Sequence, residues 1–361
     1  MAKERILIGL HSGPAADGVD AAAIAVTGKG ERMKVRQVAW TRQPYPDELS
    51  AGLAALPSAD NDRLEALDAD LTARFARAAQ AVLRAAGVLP EQAAACGVIG
   101  SALPGGMGLE LPSCPRLRLA LDVTLAGEFA RGDLAAGGLG RPPTAWAHWL
   151  LLRDRRLSRV LVELGGLARL TFLGSSCRAD EVQSFDVVPA GVLLDELTRK
   201  HFAQPCDRDG AIAAGGRVSG ELLNQLDAHP FLHRPPPRAT TAGDWRGLFV
   251  ERLELRARNL ACRAEDLVAT VTEWIARAVA RSVLAMSERP HEVILSGGGS
   301  ANIHLAGRIR TLLSPSSTYA LQRYGFEAQA MGAVSAGVLA AARVDGHPAG
   351  TRQRTVLGGL W

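Results

Sequence analysis

The chain has 361 residues, of which 47% are hydrophobic and 22% are charged, and its formal net charge is +4. At roughly 150 residues per domain, this length predicts two domains. The basic residues are mostly arginines spread along the whole chain, and aromatic residues make up 5% of it. A nucleic-acid-binding surface would need a basic stripe with interleaved aromatics, so this function class is excluded.

The cysteines and the apolar segments indicate where the protein works. The five cysteines are odd in number and widely spaced, with no Cys-x-x-Cys pair, which is typical of reduced thiols in a cytoplasmic protein. The first apolar run, residues 6–10, is shorter than the ~7 residues that a signal peptide needs. Nowhere do about 18 apolar residues follow one another, so no membrane segment is expected.

The first part of the chain alternates short strands with one long helix. Residues 6–10, 22–26 and 35–39 are apolar runs separated by turn residues, and each predicts a strand. From residue 64 apolar side chains recur at intervals of three and four, which predicts an amphipathic helix that ends at Gly87. Residues 96–100 then predict a buried strand.

The second part repeats this order. Residues 160–164 and 169–173 predict strands on either side of a glycine turn, as residues 6–10 and 22–26 do earlier. Later, residues 292–296 predict a strand that leads through three glycines into a helix. The recurrence predicts two related α/β lobes, which we place at residues 1–145 and 146–361.

Glycines at three strand-to-turn junctions carry the first hint of a ligand. Gly13, Gly165 and Gly297 each follow a predicted strand, where a residue without a side chain lets backbone N–H groups approach phosphate oxygens. Their order is that of the two phosphate turns and the adenosine turn of actin-like ATPases. The alternative is that these glycines only form turns in two sheets.

Longer motifs resemble one family. Residues 9–13 and 17–20 are similar to Gly-Leu-Met-Ser-Gly-Thr-Ser-x-Asp-Gly-x-Asp, the opening motif of the anhydro-N-acetylmuramic acid kinases. Residues 133–142 resemble that family's Asp-Ile-Ala-Ala-Gly-Gly-Gln-Gly-Ala-Pro, and residues 164–171 resemble its Ile-Gly-Gly-Ile-Ala-Asn-Leu-Thr. Matches continue through residues 297–302 almost to the carboxyl terminus.

The resemblance implies an α/β fold: two ribonuclease-H-like lobes of the actin-like ATPase, or sugar kinase, fold around a central cleft. It also implies transfer of the γ-phosphate of ATP, with Mg²⁺, to a 1,6-anhydro amino sugar while water opens the ring, during peptidoglycan recycling. The implied substrate-binding residues are Asp133 and Glu327. The implied nucleotide-binding residues are Ser12, Gly13, Asp17, Gly18, Gly165, Gly166, Gly297, Gly298, Gly299 and Asn302.

Asp186 matches the family's catalytic aspartate, which takes a proton from the attacking water as a general base. The alternative is a loop aspartate, or a cap of the helix predicted from residue 191. The resemblance also suggests that Asp17 holds Mg²⁺ through water, although it could equally cap a turn. Asn302 and Glu327 could likewise serve only to begin helices.

The chain departs from the family at ligand-facing positions. Pro14 and Ala15 replace a threonine and a serine, and residues 101–105, 187–191 and 238–243 also differ from the family's motifs. Each lost charge-assisted hydrogen bond is worth about 1.5 to 3 kcal/mol, so the losses could silence a kinase. A pseudokinase with a binding or regulatory role is therefore the alternative function, and a structural assembly protein is a third. A homodimer is compatible with the sequence.

Overall fold

The computed structural model describes residues 3–55, 60–102, 110–138, 140, 142–350 and 355–361. Two compact units divide the chain. The first consists of Met1–Arg153, Cys177–Val182 and Gln322–Trp361, and the second of Asp154–Ser176 and Gln183–Leu321. This division differs from a single boundary after residue 145, because the chain returns to the first unit at Gln322 and its helix Met331–Val344 packs on the sheet of that unit.

The first unit contains strands β1 (Arg5–His11), β2 (Gly18–Thr27), β3 (Lys34–Pro44), β4 (Ala93–Ile99), β5 (Ser101–Ala102), β6 (Glu110–Leu111), β7 (Leu125–Gly127) and β13 (Gly359–Leu360). Its helices are α1 (Asp47–Ala54), α2 (Asn61–Ala86), α3 (Cys114–Ala120), α4 (Phe129–Ala135), α5 (Ala145–Leu152) and α12 (Met331–Val344). Six strands form one sheet in the order β13-β7-β4-β1-β2-β3, and β5 pairs with β6.

Helices cover both faces of the six-stranded sheet. The apolar side of α2, including Leu71, Phe75 and Val82, packs in one core with Ile8 and Leu10 of β1. On the other face, α12 approaches so closely that a β-carbon on Gly9 would collide with its backbone. Gly9 belongs to the opening motif, and its role is therefore helix–sheet packing.

The second unit contains strands β8 (Arg159–Leu164), β9 (Leu167–Leu173), β10 (Gln183–Pro189), β11 (Glu292–Ser296) and β12 (Ser317–Ala320). Its helices are α6 (Gly191–Phe202), α7 (Ala211–Gly215), α8 (Gly220–Asp227), α9 (Leu248–Asn259), α10 (Ala264–Leu284) and α11 (Ile303–Leu313). The strands form one sheet in the order β10-β9-β8-β11-β12, with antiparallel pairing of β8, β9 and β10.

Side chains alternate between the two faces of this sheet. Val162, Leu170 and Phe185 lie on the face that packs against α6 and α10 in a single large core. Residues between them, such as Glu163 and Arg169, therefore project from the opposite face. The alternation places a row of polar groups on that opposite face.

The predicted strands and helices agree with the structure. The helix predicted from residue 64 begins slightly earlier, with Asp60 accepting from the Arg63 amide, and ends at Gly87 in the left-handed conformation, φ 66°. Within the described residues, no helix is long and apolar enough to cross a membrane. All five cysteines lie in the described part of the chain and are free thiols.

Candidate functional site

The turn between β1 and β2 is organised around Ser12. Its amide donates to the Ile99 carbonyl at 3.0 Å. Its hydroxyl lies 3.0 Å from Ser101 Oγ and accepts from the Tyr45 hydroxyl at 3.1 Å. Ser12 is 3% exposed. Because its hydroxyl is engaged with two side chains, Ser12 braces the turn from within.

The rest of this turn explains one departure from the family, Pro14, and one retained residue, Gly18. The Ala16 amide donates to the Gly13 carbonyl at 3.0 Å, which closes a β-turn with Pro14 in its second position. Proline suits that position because its ring presets φ. A β-carbon on Gly18 would lie 2.7 Å from the Gln43 carbonyl oxygen. Gly18 is thus needed for close packing on β3.

One arginine holds both aspartates of the turn. Arg42 Nη1 donates to the two carboxylate oxygens of Asp20 at 3.1 and 3.0 Å, and Arg42 Nη2 donates to Asp17 at 2.6 Å. Burial raises the pKa of Asp20 to about 6, although the charge of Arg42 acts to lower it. The Asp17 side chain is 48% exposed. Asp17 therefore keeps contact with water, whereas Asp20 is buried.

In the second unit, two glycine turns lie side by side. A β-carbon on Gly297, where φ is 78°, would lie 2.7 Å from the Leu164 carbonyl group, and one on Gly299 would lie 2.9 Å from the same oxygen. The turn after β11 thus contacts the end of β8 directly. Among the described residues, the Gly166, Gly298 and Gly299 amides have no intramolecular acceptor. These amides could donate to a bound anion.

The start of α6 holds the first of these turns in place. The Ala190 and Val192 amides donate to the Gly166 carbonyl at 2.9 and 3.0 Å, and the Gly191 amide donates to the Gly165 carbonyl at 3.0 Å. Residues 187–191 replace the family's Thr-Gly-Pro-Gly-Asn, yet they still form a strand end and a helix start. The backbone framework of the turn is therefore built by the altered residues.

Asp186 lies on β10 and is fully buried. Its Oδ1 accepts from Arg169 Nε at 2.9 Å and its Oδ2 from the Thr240 amide at 3.1 Å. Its backbone amide donates to the Arg238 carbonyl at 3.0 Å, and its carbonyl accepts from Arg238 Nε at 3.1 Å. The alternatives of a loop or helix-capping aspartate are wrong, because Asp186 belongs to the sheet.

Asp186 ends a row of polar residues that crosses four strands. Ser296 lies opposite Glu163, Glu163 opposite Arg169, and Arg169 opposite Asp186. Burial alone would lower the pKa of Arg169, but the carboxylates of Asp186 and Glu163 raise it above its ordinary value. Arg169 therefore stays charged between two acids.

Three further predicted residues have structural contacts of their own. Asn302 caps α11, where its Oδ1 accepts from the Leu305 amide at 2.9 Å. The Asp133 carboxylate accepts from the Gly140 amide at 2.8 Å and so closes the glycine-rich segment after α4. Glu327 is exposed and precedes a short 3-10 turn before α12, with its amide donating to Gln37.

The predicted residues thus fall into separate groups. Ser12, Gly13, Asp17 and Gly18 share the β1–β2 turn of the first unit, where Asp133 and Glu327 lie on other segments. The glycines at 165–166 and 297–299, with Asp186 and Asn302, belong to the second unit. Residues 103–105, which belong to the segment 101–105 predicted to have lost substrate contacts, lie outside the described residues.

Sequence reasoning missed the residues that surround the predicted acids. These are Arg169 and Thr240 at Asp186, and Arg42 at Asp17 and Asp20. One signal was available for Arg169, since it stands where the family's motif has asparagine. Within the described residues, no group of three potential metal-ligating side chains occurs.

Each of the two sheets has both parallel and antiparallel strands and is covered by helices. With the glycine turns at strand ends, this is the α/β fold class of actin-like ATPases and sugar kinases. The chain is similar to component A of the (R)-2-hydroxyglutaryl-CoA dehydratase of Acidaminococcus fermentans, with TM-score 0.50, 13% identity, and 93% and 98% of the two chains covered. It is also similar to the activator of the 2-hydroxyisocaproyl-CoA dehydratase from Clostridium difficile, solved with bound ADPNP, with TM-score 0.50, 14% identity, and 93% and 94% covered. The predicted α/β fold is confirmed.

Residues 5–359 match the family model of anhydro-N-acetylmuramic acid kinase. The chain is 31% identical over 358 residues to the anhydro-N-acetylmuramic acid kinase of Gloeobacter violaceus, with 95% of this chain and 93% of the relative covered. It is 32% identical over 355 residues to that of Xanthomonas campestris pv. campestris, with 95% and 92% covered. The chain therefore belongs to the anhydro-N-acetylmuramic acid kinase family, and the pseudokinase alternative is not favoured.

Proposed function

We propose that this protein is an ATP-dependent kinase of 1,6-anhydro-N-acetylmuramic acid. In this reaction water opens the anhydro bridge and the γ-phosphoryl group of ATP is transferred to the oxygen that the opening releases, which fits a role in peptidoglycan recycling. The observation that carries the proposal is the buried carboxylate of Asp186, held at two oxygens in a sheet with two glycine turns at strand ends.

Asp186 is the proposed general base. As the water oxygen bonds to the anomeric carbon, one water proton passes to Asp186 and the carbon–oxygen bond of the bridge breaks. The freed sugar oxygen then forms the new bond to phosphorus, and ADP leaves. Each carboxylate oxygen has two lone pairs, so the bonds from Arg169 and Thr240 leave acceptor sites for the water.

The glycine turns of the second unit are the proposed phosphate-binding elements. The Gly166, Gly298 and Gly299 amides, which have no intramolecular acceptor among the described residues, supply N–H donors without a side chain in the way. Asn302 is proposed to shape the second turn, because its Oδ1 caps α11 and its Nδ2 donates to the Asp207 carbonyl. Contact of Asn302 with the base or ribose would use the remaining capacity of its amide.

Mg²⁺ is the proposed metal, and Asp17 is the residue that fits it. Mg²⁺ prefers oxygen ligands and keeps several waters, which suits one half-exposed carboxylate better than a cage of acids. Because Arg42 already pairs with Asp17, contact with the ion is proposed to run through water. When bound, the ion would neutralise charge on the phosphates.

The first unit also carries the proposed sugar contacts. Asp133 and Glu327 are proposed to contact the sugar, and Glu327 is exposed enough to do so. Through its bond from the Gly140 amide, Asp133 would also hold the glycine-rich segment after α4 in place. A cytoplasmic location is also proposed, because ATP is available there and the described cysteines are free thiols, as is typical of that compartment.

The test is turnover with Mg-ATP and 1,6-anhydro-N-acetylmuramic acid in ¹⁸O-labelled water. We expect ADP release, a phosphorylated sugar, and the label on the anomeric hydroxyl group. Asp186→Asn should abolish turnover, whereas Asp62→Asn, an exposed acid on α2, is the matched control. N-acetylmuramic acid without the bridge should receive no phosphoryl group if ring opening drives the transfer.

The opposite result would favour the pseudokinase. A folded protein that releases no ADP with the anhydro sugar, and whose melting temperature does not rise with millimolar Mg-ATP, has no kinase function.

A further inference from the structure

A cavity adjoins β10, the strand that carries Asp186. Its volume is about 480 Å³, and it is lined by residues of β10, of α10 and the segment just after it, of the end of α8, and of the proline-rich segment up to Arg238. This volume falls within the roughly 300 to 1,000 Å³ typical of small-molecule sites. The whole cavity belongs to the second unit, and the proposed reaction makes no use of it.

The cavity is lined by both apolar and basic side chains. Phe185, Leu232 and Met286 contribute apolar surface. Three arginines line the cavity, and Asp227 is the single acid among the lining residues. Asp227 is already paired with one of the arginines, Arg281. The cavity therefore combines an excess of positive charge with apolar surface.

Arg238 is the central basic group, and it is 8% exposed. Its Nε donates to the Asp186 carbonyl at 3.1 Å. Its Nη1 donates to the Leu232 and Arg234 carbonyls at 2.9 and 2.8 Å. Its remaining described bond is a long one, 3.4 Å, from Nη2 to the Ser282 hydroxyl. Four of five N–H groups are thus used, and none of these bonds goes to a carboxylate.

Two donors remain at this point of the cavity. One is the last Nη2 hydrogen of Arg238, which has no partner among the described residues. The other is the hydroxyl hydrogen of Ser282, since that oxygen acts as an acceptor in its described bond. Two adjacent donors, one of them on a guanidinium that donates to no carboxylate among the described residues, match the two oxygens of a carboxylate.

We propose that this cavity binds an amphiphilic carboxylate, with its head group at Arg238 and Ser282 and its apolar body over Phe185 and Met286. Arg234 lies at the exposed rim and adds long-range attraction for the anion. Burying the apolar body supplies the main favourable free energy, and the head group fixes the orientation. This site is separate from the proposed kinase reaction and does not depend on it.

The cavity is also linked to the catalytic strand. The Arg238 carbonyl accepts from the Asp186 amide, and Arg238 Nε donates to the Asp186 carbonyl. The guanidinium also lies 5.5 Å from the centre of the Phe185 ring. A carboxylate bound to Arg238 would therefore contact a residue that directly supports the strand of Asp186. The bound ligand stabilises this part of the unit.

The test uses sodium octanoate as the probe, with calorimetric titration and melting temperature as readouts. We expect saturable binding of one octanoate per chain and a rise in melting temperature. The uncharged 1-octanol should bind at least about tenfold more weakly, because a charge-assisted hydrogen bond is worth about 1.5 to 3 kcal/mol.

Two variants test the place of binding without disturbing Arg238. Ala285→Trp puts a large side chain at an exposed lining position, and we expect it to abolish binding. Arg234→Gln removes a rim charge, and we expect binding three- to tenfold weaker. Arg252→Gln, an exposed charge on α9 away from the cavity, is the control and should bind octanoate like the native protein.

Several results would overturn the proposal. These are no saturable binding at millimolar octanoate, many weak sites per chain, equal binding of octanol, or undiminished binding by folded Ala285→Trp. Any of them shows that the cavity does not select an amphiphilic carboxylate.

Discussion

Arg169 and Asp186 face each other across β9 and β10, with Nε and Oδ1 separated by 2.9 Å. The arginine stands where the family motif quoted above has asparagine, so this chain places a full positive charge on the proposed general base. The Arg169 side chain is 16% exposed and that of Asp186 is fully buried. Removing either partner alone would leave the other charge in a poorly solvated place.

The first prediction separates the stabilising role of this pair from its chemical role. Asp186→Asn should lower the free energy of unfolding by about 3 kcal/mol, because it breaks a buried ion pair and leaves Glu163 as the acid beside Arg169. The double variant Arg169→Asn/Asp186→Asn removes both charges and should recover most of that loss. Denaturant unfolding measures both effects, and neither variant should turn over the anhydro sugar.

The single variant Arg169→Asn completes a double-mutant cycle for Arg169 and Asp186. It retains the carboxylate and introduces the family's residue, so we expect it to remain active. A double variant as unstable as Asp186→Asn would show that the ion pair is not the source of the loss. An active Asp186→Asn would remove Asp186 from the reaction.

The second prediction concerns the β1–β2 turn. Pro14→Thr/Ala15→Ser returns two hydroxyls and one backbone N–H to the loop, and each new bond to a phosphate could contribute about 1.5 to 3 kcal/mol. We expect kcat/KM for ATP to rise at least about tenfold. The cost should be a loss of about 0.4 to 1 kcal/mol in unfolding free energy, since proline restricts the unfolded chain.

Steady-state kinetics at varied ATP concentration checks this second prediction. Ala214→Ser on α7 is the control, because it adds a hydroxyl group in the other unit, far along the chain from the turn. An unchanged kcat/KM for ATP in the double variant would mean that the turn does not bind phosphate.

The third prediction is a pH dependence at Asp20. Burial raises its pKa from the ordinary 3.8 to about 6, so between these values the folded state binds more protons than the unfolded state. The unfolding free energy should therefore fall as pH rises from 4 to 6, by about 2 to 3 kcal/mol in total. This contribution is fully present below pH 4 and is lost above pH 6.

Asp20→Asn cannot titrate and should lack this contribution. Between pH 4.5 and 7.5 the native protein should thus lose about 2 kcal/mol of unfolding free energy relative to Asp20→Asn. Chemical denaturation at both values measures it, with Asp62→Asn as an exposed control. A constant difference between native protein and Asp20→Asn would contradict the prediction.

The fourth prediction distinguishes two adjacent glycines. Gly297→Ala should lower the unfolding free energy by about 3 kcal/mol, because φ is 78° there and the added β-carbon would lie 2.7 Å from the Leu164 carbonyl. A β-carbon on Gly298 meets no atom within 4 Å. Gly298→Ala should change stability by less than about 0.5 kcal/mol and weaken ATP binding.

Gly307→Ala provides the matched control. Gly307 lies inside α11, where an added β-carbon also meets no atom within 4 Å, so alanine should stabilise the helix by about 0.5 to 1 kcal/mol without affecting ATP binding. Unfolding curves and ATP titrations of the three variants form one experiment. Unchanged ATP affinity in Gly298→Ala would argue against phosphate binding at this turn.

Local periodicity was sufficient for much of the fold. The strands around Gly165 follow from short runs on either side of a glycine turn, and the helix that ends at Gly87 follows from spacings of three and four residues. The structure confirms both. The family motifs could likewise be recognised from the residues alone. β10 was not predicted, because its seven residues place an acid and a terminal proline among apolar side chains, which obscures the alternation.

By itself, the sequence determined the positions of most strands and helices, the glycine turns and the family, because each depends on residues that are close together along the chain. Only the tertiary structure decided which charges meet. Arg169 reaches Asp186, and Arg42 reaches Asp17 and Asp20, through the alignment of neighbouring strands. Strand alignment depends on packing across the whole sheet, so no local pattern could have assigned these ion pairs.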